Sequence, residues 1–140
     1  MKPDPSAFHA GTVIGHDARV YGVPKDLPVD ALVGQTLDQI CMSQFQVQLH
    51  LGDTVSIGIE GHWVLLDPEG NVVDQCLEPQ EREVFRLHLL LGSSVTGCTV
   101  DAPESFTLVF EHGYQLTVHD DSSQYESFTL SIRGRPQTIV

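Results

Sequence analysis

The stretch Val47-Gln48-Leu49-His50-Leu51-Gly52-Asp53-Thr54-Val55-Ser56-Ile57-Gly58-Ile59 alternates apolar residues with polar or small ones on both sides of a short break. A period of two is that of a strand with one face on a core and the other in water. The pattern returns as Phe106, Leu108 and Phe110, answered by Tyr114, Leu116 and Val118. In both places a three-residue loop, Gly52-Asp53-Thr54 or Glu111-His112-Gly113, sets every apolar residue opposite another. A two-residue loop would put Phe110 opposite Gln115, so the faces fix the register. Gly113 suits the left-handed position that such loops require. The intervening positions, Gln46, Gln48, His50, Ser56 and Glu60 in one hairpin and Thr107, Glu111, Gln115, Thr117 and His119 in the other, form a wet face.

Working outward, each hairpin is preceded by the same irregular spacing, Leu37, Ile40, Met42 and Val95, Cys98, Val100. Steps of three and then two residues describe a strand with a β-bulge, near Gln39 and near Gly97. Before each lies a glycine, in Leu32-Val33-Gly34 and Leu90-Leu91-Gly92, that closes a helical segment. The second segment predicts a helix over about 79–91. Pro79 suits its first turn, Glu81 and Glu83 its positive end, and Val84, Leu87 and Leu91 form an apolar stripe. The first has room for a turn from Pro28. After each hairpin comes a further strand, Trp63 with Leu65 and Phe128 with Leu130, and Asp67-Pro68-Glu69-Gly70-Asn71 turns the chain before Val72. A strand is expected over Asp17 to Val23, behind a loose lead-in at 1–15.

These elements predict a mainly β (α+β) fold occupying 1–140 as one domain. Two duplicated antiparallel meanders, about 32–66 and 90–132, pack face to face as a sandwich or half-open barrel with the helix between them. The period of about 58 residues occurs twice, which makes the domain pseudo-twofold and not a solenoid.

The chain carries 19 acidic and 7 basic residues, a formal net charge of −12. Between Lys25 and Arg82 there is no Lys or Arg but there are ten acids, and the stretch from Arg86 to Arg133 adds Asp101, Glu104, Glu111, Asp120, Asp121 and Glu126. Neutralising phosphates takes Lys and Arg, so direct nucleic-acid binding is disfavoured. Apolar runs fall far short of a membrane span, and no basic segment leads into a signal-like apolar stretch, so a cytoplasmic protein is expected. Cys41, Cys76 and Cys98 form no CxxC pair and read as buried thiols.

Seven histidines show no HxxxH or HExxH spacing, and Asp120-Asp121-Ser122-Ser123 lacks the alternating acids and the glycine of a calcium loop. No glycine cluster cradles a phosphate, and no serine stands in a G-x-S-x-G elbow. No metal, cofactor or catalytic residue is therefore assigned.

The order Leu90-Leu91-Gly92, strand, Leu108-Val109-Phe110-Glu111-His112-Gly113, strand, Tyr125-Glu126-Ser127-Phe128 resembles a group of uncharacterised small bacterial β-rich domains with duplicated halves. Leu32 to Leu51 carries the matching first-half pattern, and the likeness spans about 27–132. Taken by itself, Tyr125-Glu126-Ser127-Phe128 reads as an edge strand with its aromatics in the core. Such domains look like the immunity proteins that accompany polymorphic toxins. Related chains often end in Pro-Gly-Gly and a Trp, where this one has Arg133-Gly134-Arg135-Pro136, so nothing about that tail carries over. The resemblance implies a protein-binding domain that neutralises a basic toxin. The charge pattern nominates Asp53, Glu60, Asp101, Glu104, Glu111, Asp120, Asp121 and Glu126 as the contact surface. The alternatives are a self-associating structural or regulatory domain, such as a homodimer, and an enzyme with a histidine-lined cleft. With no ligand set of structural spacing, EDTA should leave the melting temperature unchanged. A drop of several degrees restored by zinc would nominate His112 and His119 instead.

Overall fold

A computed structural model describes residues 17–19, 22–44, 46–76, 85–120 and 127–140. The first half supplies β2 (Leu37–Met42), β3 (Val47–Leu51), β4 (Val55–Ile59), β5 (Trp63–Leu66) and β6 (Val72–Cys76). The second supplies β7 (Val95–Asp101), β8 (Ser105–Phe110), β9 (Gln115–His119), β10 (Phe128–Ile132) and β11 (Gln137–Ile139), and β1 (Asp17–Arg19) precedes both. The hairpin registers are those the faces demand: Leu49 pairs with Ile57 and Leu51 with Val55, Leu108 with Leu116 and Phe106 with Val118. Both bulges are present, between Leu37 and Gln39 and between Val95 and Gly97.

The sheets are not the two meanders. Their orders are β1-β11-β10-β4-β3-β2 and β6-β5-β9-β8-β7, so each half lends its fourth strand to the other's sheet. The joint after Ile59, Glu60-Gly61-His62, crosses between sheets instead of turning back within one, and β5 pairs with β9 as β10 pairs with β4. Neighbouring strands are antiparallel except β1, which runs parallel to β11. The two inner faces share one sandwich-like core, led by Trp63, Phe106, Phe110, Phe128, Leu49, Ile57, Leu65 and Leu108, and no barrel closes.

Several expectations need correction. Among the described residues of the expected helix, Phe85 and Arg86 are outside any helix and Leu87–Leu90 is a 3-10 turn; residues 79–84 lie outside the described set. It matches Val29–Ala31, a 3-10 turn 58 residues earlier, so the repeat prevails over local helix propensity. Leu90 is buried, whereas Leu91, assigned to the apolar stripe, is 46% exposed. Met42 is exposed as well, since β2 ends at the rim of its sheet. Of the strand expected over 17–23, Asp17–Arg19 is β1, residues 20 and 21 lie outside the described set and Gly22 and Val23 are outside any strand; the lead-in also lies outside the described residues, and β10, whose start was expected at an edge, is interior. Gly34 (φ +89°) and Gly92 (φ +85°) are left-handed, as their closing positions require.

Leu49→Ala and Leu108→Ala, each removing a side chain with no exposed surface, should each cost about 2–5 kcal/mol of stability in urea unfolding. A loss under about 0.5 kcal/mol at both sites would contradict this packing.

Candidate functional site

Each hairpin reverses the chain, so successive connections fall at alternate ends of the sandwich. Residues 43, 44, 46, 60–62, 102–104, 120 and 127 gather at one end, and residues 52–54 and 111–113 at the other. This divides the acids. Glu60, Asp101, Glu104 and Asp120 share the first end, whereas Asp53 and Glu111 stand at the second, a strand's length away. Asp121 and Glu126 lie outside the described residues.

The first end is organised around Ser127, a fully buried polar residue. Its carbonyl accepts the N–H groups of Glu60 (3.0 Å) and Gly61 (3.1 Å), and its hydroxyl donates to Asp120 Oδ1 at 2.7 Å. The Asp120 N–H donates to the Glu104 carbonyl (2.8 Å), and the Glu104 N–H to the Asp101 carbonyl (2.8 Å). A continuous path of hydrogen bonds thus ties the backbones of all four acids together. A Cβ on Gly61 would stand 3.4 Å from Ser127 Cα, an ordinary van der Waals contact, so the closeness does not itself require glycine. Glu60 also accepts from Gln46 Nε2 (3.5 Å). Asp101 and Glu104 are exposed and make no ion pair among the described residues.

Two features of this end escape a reading by charge. His62 and His119 stack with centroids 4.4 Å apart, and the His119 N–H donates to the His62 carbonyl at 2.9 Å. Beside Glu60 runs a cleft of about 30 Å³ lined by Met42, Val47, Ile59, Gly61, Cys76 and Phe85, together with the polar Ser43 and Gln46. Its exposed Met42 places apolar surface next to Glu60, on the β6 side of this end, whereas Asp101 and Glu104 lie at the β7–β8 edge, across the sheet from β6.

At the second end Glu111 is structural: its Oε1 accepts the Ser94 N–H (3.2 Å) and its own N–H donates to the Ser94 carbonyl (2.9 Å). Asp53 is exposed on the β3–β4 loop.

Among the described residues no group of three His, Cys, Asp or Glu side chains could hold a metal. Of the cysteines only Cys76 is buried; Cys41 and Cys98 are half-buried, because their strands lie at sheet edges. Burial still pushes the Cys98 thiol up to about 12, which keeps it protonated and unreactive at neutral pH. No described helix is long and apolar enough to cross a membrane.

Ser127→Ala would strip Asp120 of its hydroxyl donor inside the crossover. The expected loss is about 1–3 kcal/mol in urea unfolding, against under about 0.5 kcal/mol for the exposed Ser43→Ala. Equal losses at both would show that the bond does not hold the acidic end.

No curated protein and no solved structure matches the chain. A family model does, over residues 28–138, which takes in the two halves from the first 3-10 turn to β11. The chain belongs to the family of unknown function DUF6188.

Proposed function

We propose that this domain binds a basic protein through the acidic end formed by Glu60, Asp101, Glu104 and Asp120, in the manner of an immunity protein that neutralises a toxin. The observation that carries the reading is the joining of these carboxylate-bearing residues, drawn from three separate connections, through one hydrogen-bonded path beside an apolar cleft. Acids gathered at one end of the sandwich, with an apolar cleft to one side of them, serve two purposes at once. Their field steers a cationic partner into encounter, and the cleft supplies area to bury afterwards. The role is one of occlusion and needs no catalytic group. Asp121 and Glu126 follow Asp120 in the sequence before Ser127.

A second reading, self-association, is favoured by a different observation. Val33 and Leu91, equivalent by the repeat, and Leu89 are exposed apolar residues next to the contact between the halves.

Association with a partner captured from the source cell should slow by about tenfold or more as salt is raised from about 50 to 500 mM, as screening shortens. Asp101→Asn with Glu104→Gln should slow it further, and Asp53→Asn, at the far end, should not. A salt-independent rate, or equal effects from both ends, would defeat the acidic-end reading, and a free chain that sediments as a dimer through Leu91 would favour the second.

A further inference from the structure

The end opposite the acidic rim carries a groove of about 290 Å³ whose lining is rich in hydrogen-bond donors. His50, Ser56 and Ser131 stand directly opposite one another across β3, β4 and β10, on the outer face of the sheet. Ser131 Oγ accepts from Gln137 Nε2 at 2.9 Å, which leaves its own proton to donate. Arg133 lines the groove from the β10–β11 turn, and its N–H donates to the Thr54 carbonyl at 2.8 Å, so the turn is held against the β3–β4 loop. In a chain with 19 acids its guanidinium makes no ion pair among the described residues. Asp53, on the same loop, is the one carboxylate in the lining.

The duplication supplies an internal comparison. In the other half the positions of His50, Ser56 and Ser131 are taken by Val109, Gln115 and Leu66, and Pro68 approaches the β8–β9 loop, where a Cβ on Gly113 would meet it at 3.0 Å. The scaffold therefore does not call for this set of donors; one half has them and its counterpart does not.

We propose that the groove binds a small oxyanion, a carboxylate or a phosphate-type group, with Arg133 as the charged clamp and the Ser56 and Ser131 hydroxyls and the His50 ring as further donors. A guanidinium presents five N–H groups in a plane that matches two oxygens of such a group. The volume lies at the lower limit of ligand pockets, which suits a ligand of few heavy atoms. Asp53 repels a second negative charge at its side of the groove and accepts from a hydroxyl or ammonium there. The inference is independent of the acidic end and of any protein partner.

The test is a ¹⁵N-detected titration of the full chain with sodium sulfate, standing for a phosphate group, and separately with sodium acetate, at ionic strength held constant with sodium chloride. Saturable shifts confined to residues 50–56 and 131–133 are expected. The stronger of the two ions assigns the ligand to the phosphate or the carboxylate class. Arg133→Gln should weaken binding by about tenfold or more, and Arg135→Gln, exposed and outside the groove, by less than about twofold. Ser56→Ala, which removes one neutral donor, should weaken it by a smaller factor and guards against a fold defect in the arginine variant. Shifts that scatter over the surface, that fail to saturate by about 100 mM, or that respond equally to both arginine variants would overturn the proposal.

Discussion

Residues 34–37 and 92–95 hydrogen-bond to each other across a local twofold axis, and the duplicated fold is anchored there. The Gly34 N–H donates to the Val95 carbonyl at 2.7 Å and the Gly92 N–H to the Leu37 carbonyl at 2.8 Å; Leu37 donates to Ser93 and Val95 to Gln35, each at 2.9 Å. Both groups of every bond have their counterparts 58 residues away in the mirrored bond. At the centre the Thr36 and Ser94 hydroxyls meet at 2.8 Å. Left-handed backbone at Gly34 and Gly92 aims the chain into this contact. An added Cβ at either would meet nothing within 4 Å, so the demand for glycine is one of handedness and not of space. The bulges follow at once, in Leu37–Gln39 and Val95–Gly97, and bend each strand away from the axis into its own sheet.

From that anchor the chain must also close the far end, and it does so by exchanging fourth strands. With β5 completing one sheet and β10 the other, neither half holds a whole sheet of its own, and Phe106 of one half tilts against Phe128 on the strand that has crossed, at 4.8 Å. The two crossovers differ in length. Glu60-Gly61-His62 is a minimal link, whereas Asp120 to Ser127 carries extra residues, two of them acids. The repeat is thus broken at the end where the acids collect, and a symmetric scaffold acquires one chemically distinct end without disturbing its core.

Much of this was legible in the sequence because its causes are local. The registers of Leu49 with Ile57 and Leu108 with Leu116 follow from parity, and both bulges from a three-then-two spacing. The exchange of strands was not legible. Leu51 to Val55 and Ile59 to Trp63 are joined by links of equal length and equal parity, yet one is a hairpin and the other a crossover. Only the competition between two complete sheets decides between them. The misassigned helix has a similar origin: the apolar spacing of Val84, Leu87 and Leu91 is helical, but the described part of the segment keeps the short turn of its counterpart at Val29–Ala31. Half of the division of the acids was available from the sequence, since counting strand reversals places Asp53 opposite Glu60 and Glu111 opposite Glu104; which ends of the two halves coincide is set by the exchanged strands. Charge totals, which carry no direction along a strand, do not contain it.

The distance between the ends also decides whether an anion site can exist on a chain of net charge −12. A five-residue strand such as β3 spans about 17 Å, roughly twice the screening length of about 8 Å at physiological ionic strength. Carboxylates at the crossover end are therefore largely screened from Arg133, and the carboxylate nearest it in the groove lining is that of Asp53. The same screening works in reverse, because Arg133 and Arg135 do little to dilute the potential at Asp101 and Glu104. Length along the strands, more than the sum of charges, lets one small sandwich present an acid-rich end and a donor-rich end without each cancelling the other.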